Sequence, residues 1–245
     1  MIKLAISGSM GRMGQKIYDL ASKDSRFKVT TLLEHKANPS VGKKIAGIEI
    51  TSDISKLEGS AVLIDFTLPD GTIEKLDACI KNKVAMVIGT TGFTKEQSNK
   101  IEEASNEIPI VFASNMSIGV NVMFKATELV SKKLKDIQSI KVYEEHHCHK
   151  KDAPSGTAKT IANIAEENSN KKVVFEPEPL REGEIIGNHE ITFDSEFDIF
   201  KMYHHAKDRN MFALGSLEAA AFLNHKHAGL FNMQQVLGLD SIKIN

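Results

Sequence analysis

The chain has 245 residues, 41% of them hydrophobic and 26% charged, which suits one large soluble domain or two modest ones. Lysine and arginine number 31 against 32 acidic residues, a near-neutral balance that excludes a global basic field for nucleic acid or an anionic membrane. The first apolar run is too short for a secretory core, no run approaches the roughly 20 residues a bilayer needs, and two cysteines give no disulfide framework, so cytoplasm is the expected compartment.

Leu4–Ile6 reads as a buried strand, followed by a glycine turn and a helix over Met13–Ala21. Val29–Leu33, Ala61–Phe66, Val84–Ile88 and Ile110–Phe112 are further short apolar strands, with helical patterns over Thr72–Lys81 and Lys95–Ala104 between them. Near-continuous apolar strands alternating with helices imply a parallel sheet covered on both faces. The right-handed crossover rule then makes a doubly wound α/β domain the simplest assembly. The texture changes after Asn115: Val120–Lys133 reads as a helix, Ile140–Glu145 as a strand carrying polar residues, and Asn188–Tyr203 alternates as antiparallel strands do. This part reads as a smaller α+β domain, and Gly215–Leu223 returns to a helical pattern.

Gly8-Ser9-Met10-Gly11-Arg12-Met13-Gly14 lies directly between the first strand and the first helix, the context of a dinucleotide fingerprint. Glycine permits a tight turn there and lets backbone N–H groups reach a pyrophosphate resting on the positive helix terminus. The spacing is G-x-x-G-x-x-G, which a turn built only for packing would share. Glu34, about twenty residues beyond Gly14 at the end of the second strand, stands where a carboxylate binds ribose hydroxyls. Such a carboxylate favours NADH, whereas His35 and Lys36 beside it suit the extra phosphate of NADPH. Use of NADH, NADPH or both is the expectation. Asp65-Phe66-Thr67, Gly89-Thr90-Thr91-Gly92 and Ala113-Ser114-Asn115-Met116 follow later strands, on the side of an open α/β sheet where ligands lie.

The stretch Glu144-Glu145-His146-His147-Cys148-His149-Lys150-Lys151-Asp152-Ala153-Pro154-Ser155-Gly156-Thr157-Ala158 leaves a strand, crosses a charged loop and starts a helix. Ser155 is a natural N-cap, so the N–H groups of Gly156 and Thr157 are expected to form a carboxylate site, with Lys150 adding positive charge. Histidine titrates near neutral pH and can deliver a proton during a reduction. Adjacent histidines and a cysteine on a strand alternate faces and match no paired metal-ligand spacing, so no metal is expected.

These segments together resemble the dihydrodipicolinate reductase family over nearly the whole chain. The resemblance rests on the glycine turn, Asp65-Phe66-Thr67, Gly89-Thr90-Thr91-Gly92-Phe93, Ser117-Ile118-Gly119-Val120-Asn121, and above all on His146 through Ala158, which matches H-H-x-x-K-x-D-A-P-S-G-T-A. It implies His146 as general acid/base with Lys150 as its partner in proton donation, and His147, Ser155, Gly156 and Thr157 as substrate-binding residues. It implies cofactor contacts at Gly8, Ser9, Met10, Gly11, Arg12, Met13, Glu34, His35, Gly89, Thr90, Thr91, Ala113, Ser114, Asn115 and Met116. The implied fold is a Rossmann-type nucleotide domain, residues 1–116 and about 208–245, with an α+β substrate and oligomerisation domain at 117–207 that builds a homotetramer. The implied reaction is NAD(P)H-dependent reduction of a cyclic dicarboxylate, 4-hydroxy-tetrahydrodipicolinate, with loss of water, in diaminopimelate and lysine biosynthesis. His35 stands where many members carry an arginine, and Leu68 where many carry a polar or basic residue. Competing readings are another nicotinamide reductase on the same architecture, a non-catalytic dinucleotide sensor, and a zinc hydrolase using the histidine–cysteine cluster.

Overall fold

A computed structural model describes residues 1–244, which form two compact units. The first unit comprises Met1–Met116 and Phe212–Leu237. It begins with β1 (Ile2–Ser7), α1 (Arg12–Ala21), β2 (Phe27–Leu33), β3 (Lys44–Ile45), β4 (Ile48–Thr51), β5 (Val62–Asp65), α2 (Pro69–Asn82), β6 (Ala85–Ile88), α3 (Lys95–Ala104) and β7 (Pro109–Phe112). The second unit holds α4 (Ile118–Lys133), β8 (Ile137–His146), α5 (Gly156–Ser169), β9 (Val173–Phe175), β10 (Leu180–Arg181), β11 (Asn188–Ser195) and β12 (Ile199–His205). The chain then forms α6 (Asn210–Leu223), β13 (Gly229–Phe231) and α7 (Met233–Val236). The sequence expectation placed everything from about 208 to the terminus in the nucleotide domain. The segment that clusters with the first unit is shorter, Phe212–Leu237, and the described residues from Gly238 onward cluster with the second.

The first sheet runs β13-β7-β6-β5-β1-β2-β4-β3, parallel throughout except the β3–β4 pair. Its central strands are buried on both faces, which is why they read as unbroken apolar runs. Leu4, Ile6, Ile64, Val87 and Val111 pack against α1 and α6 on one face, while Ala5, Leu63, Met86, Ile88 and Ile110 pack under α2 and α3 on the other. Alternation along each strand sends successive side chains to opposite layers. Local chemistry sets the helix ends. Thr94 and Gln97 form a reciprocal capping box at α3, and Pro69 occupies the first turn of α2, which therefore starts earlier than the expected Thr72.

The second sheet runs β10-β8-β11-β12, with β9 also on β8. β8, β11 and β12 are antiparallel neighbours, as the alternation over Asn188–Tyr203 suggested. Ile140, Val142, Ile191 and Phe193 face α4 and α5 and form a separate core with Val120, Met123, Ala158 and Ile161. The short strands β3, β4, β9, β10 and β13 were not anticipated, because none carries the longer continuous apolar run by which β5, β6 and β7 were read. Among the described residues no helix is long and apolar enough to cross a membrane.

Candidate functional site

In the first unit, β1 ends at a turn whose shape depends on two glycines. Gly8 adopts φ +69°, and a Cβ on Gly14 would stand 2.1 Å from the Gly8 carbonyl oxygen. The Gly11 N–H donates to the Gly8 carbonyl at 2.9 Å and closes the turn. The first helix then starts at Arg12 behind Gly11, with no side chain capping its N-terminus and no acid in its first turn. An uncapped N-terminus keeps backbone donors and positive dipole available to an anion. Ser9 is buried, and its Oγ has no hydrogen-bond partner among the described residues; Arg12 is exposed and Met13 half-buried.

The Glu34 carboxylate, directly after β2, accepts the Met10 N–H on Oε2 and the His35 N–H on Oε1, both at 2.9 Å. It is thereby fixed beside the glycine turn, where a ribose would lie. His35 and Lys36 are exposed. These residues fit a dinucleotide: the cradle exists only because Gly14 lacks a Cβ, and a carboxylate is pinned at its rim.

The later turns divide into contact and support. Thr90 is buried, accepts the Thr67 N–H at 3.0 Å and donates to Asp65 Oδ1 at 3.0 Å. Thr67 and Thr72 also donate to Asp65 Oδ1, each at 2.8 Å, so Asp65 ties the two turns together. The Thr90 hydroxyl is thus engaged inside the protein. Gly89 lies under Phe66, where a Cβ would come within 2.2 Å of the ring. Thr91 and Ser114 are exposed, Ala113 and Asn115 half-buried. The Met116 side chain belongs to the core, and its carbonyl packs so tightly on α6 that a Cβ on Gly215 would stand 1.7 Å away.

In the second unit, Glu144 and His146 lie two apart on β8 and therefore share its buried face. Glu144 Oε2 and His146 Nδ1 are 2.5 Å apart. Glu144 Oε1 accepts Arg181 Nη2 at 2.6 Å and the Ser155 N–H at 3.0 Å. Burial alone would raise the Glu144 pKa, but His146, Arg181 and the Ser155 N–H together pull it down to about 2. His189 on β11 lies opposite Glu144 in the antiparallel register, and its Nε2 is 3.3 Å from Ser155 Oγ. Burial, then the neighbouring His146, pushes His189 down to about 3, so its imidazole is neutral at physiological pH. Burial also lowers His204, which pairs with His189 from β12.

Ser155 caps α5 as expected, its Oγ accepting the Ala158 N–H at 3.1 Å, and Gly156 opens the helix with no heavy atom near its Cβ position. Lys150 Nζ is 2.8 Å from Asp152 Oδ1, and its N–H closes a turn onto the His147 carbonyl. His147 is half-buried, its pKa lowered by burial and then by Arg209. The loop is fastened to the chain after β10 through Cys148 N–H to the Gly183 carbonyl and Glu182 N–H to the His146 carbonyl. The structure thus brings His146, Lys150, His147, Ser155, Gly156 and Thr157 into one unit.

Glu144, Arg181 and His189 had no role in the sequence reading. Spacing by two on a strand could have paired Glu144 with His146, but Arg181 arrives from a sequence separation of 37 and carried no local signal. Among the described residues, Glu144, His146 and His189 are also the group whose donor atoms, within 4.8 Å of one another, could hold a metal ion. Cys148, His147 and His149 are not in that group, and the Arg181 guanidinium already occupies the carboxylate. The histidine–cysteine cluster of the zinc hydrolase reading is therefore not assembled.

Family models described as "Dihydrodipicolinate reductase, N-terminus" and "Dihydrodipicolinate reductase, C-terminus" match residues 2–116 and 119–237. A curated 4-hydroxy-tetrahydrodipicolinate reductase of Pelagibacter ubique is 40% identical, over 96% of this chain and 98% of its own length. The enzyme of the same name from Nitrosomonas europaea is 37% identical, over 97% and 98%. Among solved structures, a dipicolinate-bound dihydrodipicolinate reductase from Paenisporosarcina sp. TG-14 shares the fold at a TM-score of 0.80 and 23% identity, covering 96% of this chain and 98% of that one. An amine dehydrogenase from Mycobacterium smegmatis shares it more distantly, at a TM-score of 0.62 and 7% identity over 95% of each chain. With both halves matched and curated relatives aligned over nearly their full length, the chain belongs to the dihydrodipicolinate reductase family.

Proposed function

We propose that this chain reduces 4-hydroxy-tetrahydrodipicolinate to tetrahydrodipicolinate with loss of water, as a step of diaminopimelate and lysine biosynthesis. The observation that carries this reading is the near-full-length match to reductases of that name, with His146, Lys150 and the Ser155–Thr157 helix start all present in one unit. The family and its nucleotide-binding fold imply a pyridine nucleotide cofactor, which when bound supplies the hydride.

The protein's own groups do the rest. A flat dicarboxylate needs donors and positive charge, and the α5 N-terminus at Gly156 and Thr157 with the Lys150 ammonium supplies both. Lys150 Nζ and His146 are the proton carriers for the carbon next to the one reduced, with His147 as a further substrate contact. The nucleotide is held by residues 8–13 and by Glu34. Because the Glu34 carboxylate is held at the turn by two backbone N–H groups, NADH is the better cofactor, with NADPH also accepted through exposed His35 and Lys36. The first unit is the nucleotide domain, and the second binds substrate and builds a cytoplasmic homotetramer. Exposed Phe197, Ile199, Phe200 and Tyr203, on or beside edge strand β12, support that assembly.

The test is loss of reduced-nicotinamide absorbance with freshly generated substrate from aspartate semialdehyde and pyruvate. Substrate-dependent oxidation is the expected result. Protein that binds the nucleotide yet gives no oxidation would overturn the assignment.

A further inference from the structure

We propose that Glu144, clamped by Arg181, is a positioning residue that fixes His146 in the tautomer with its proton on Nδ1, leaving Nε2 as the nitrogen that exchanges protons with substrate. This rests on the proton-carrying role of His146 given above.

The argument starts from the 2.5 Å separation of Glu144 Oε2 and His146 Nδ1. Two lone pairs cannot face each other that closely without strong repulsion, so one of the two atoms carries a proton. Histidine keeps it on Nδ1 because Glu144 stays ionised: Arg181 Nη2 and the Ser155 N–H hold its other oxygen. Glu144 has no exposed surface, so its charge is not screened by water. Arg181 also donates to the carbonyls of Asp152 and Leu180, both at 2.7 Å, which fastens β10 to the loop carrying Lys150. The second ring nitrogen has its own space: a Cβ on Gly187 would stand 2.9 Å from His146 Nε2, and glycine leaves that atom uncrowded.

The charged and titratable groups around His146 agree with this assignment. From β11, His189 is neutral and does not compete for the Glu144 charge. From β10 comes Arg181, already spent on Glu144. On the loop, Lys150 is paired with Asp152, and beyond His189 the β12 residue His204 is also depressed by burial. Glu144 is thus the anion in contact with the ring.

The experiment uses the full chain labelled with 15N-histidine, read by NMR for the His146 ring nitrogens, together with kcat, KM and the pH profile of kcat. Glu144→Gln is expected to move His146 to a mixed or Nε2–H tautomer and to lower kcat by about a hundredfold. KM for substrate and the NADH dissociation constant should change little. The pH profile of kcat should change as well, since the anion beside the ring is removed. Arg181→Met is expected to show the same changes more weakly, and Arg181→Lys to restore most of kcat. Arg181→Met carries the test alone if Glu144→Gln does not fold. An unchanged tautomer, or loss of thermal stability alone with kcat and pH profile intact, would overturn the proposal. If His146→Gln retains the native rate while Glu144→Gln still moves the tautomer, the catalytic reading fails and the positioning contact stands.

Discussion

The carbonyl oxygen of Gly8 lies 2.1 Å from the place a Cβ on Gly14 would occupy, so the two ends of the glycine turn meet through an absent side chain. Ser9 Cα is only 2.7 Å from the same point. Both neighbours are backbone and cannot rotate aside, so Gly14→Ala must shift the turn or the start of α1. The expected outcome is a loss of at least about tenfold in NADH affinity, roughly 1.4 kcal/mol, with a lowered melting temperature. A fluorescence titration checks it, and an unchanged dissociation constant would mean that the turn does not hold the nucleotide.

Lys150 makes its ion pair with Asp152 within the second unit. Lys150→Ala should therefore cut kcat by on the order of a hundredfold while the NADH dissociation constant stays within about twofold of native. Steady-state kinetics beside a binding titration separates the two effects. Turnover at the native rate would remove Lys150 from the chemistry.

Glu34 is held at the rim of the glycine turn by the N–H groups of Met10 and His35. Glu34→Ala removes both the ribose acceptor and the anion that repels a 2′-phosphate. KM for NADH should rise by about tenfold, and KM for NADPH should stay level or fall. Equal losses with both nucleotides would show that Glu34 does not face the ribose.

His189 sits at about 3 in the folded chain against 6.5 for an unperturbed histidine. The unfolded chain therefore binds the extra proton between those values. Stability from the neutral imidazole is complete above about pH 6.5 and is lost as pH falls towards 3, roughly 2 kcal/mol by about pH 5. Glu144 adds a second window, since a carboxylate lowered from 4.5 to about 2 contributes stability that is lost as pH falls through that interval. Melting temperature should thus decline on acidification below about pH 6.5, and His189→Gln should flatten the decline above pH 5. The same slope in the variant would assign it to another group.

Three features were legible because their signals are local. The expected α3 boundaries, Lys95 to Ala104, are those observed, since Thr94 and Gln97 form their capping box within four residues of chain. Ser155 likewise caps α5 through its own neighbour, Ala158. The glycine turn could be placed because strand, turn and helix follow one another without interruption. Thr90 and Met116 were expected as contacts from their positions after strands and from the family resemblance. The Thr90 hydroxyl's partner Asp65 and the Gly215 that the Met116 carbonyl packs against are both remote in sequence.

By itself, the sequence determined the parallel α/β core, the glycine turn with Glu34 at its rim, and the His146–Thr157 run, because apolar period, caps and glycine positions act over a few residues. Tertiary structure alone decided the environment of His146. The β8–β11 register puts His189 opposite Glu144, and a guanidinium from β10 closes on the same carboxylate. The physical reason is that strand pairing and burial set charge and protonation through residues distant in the chain, and no local pattern records which partners will meet.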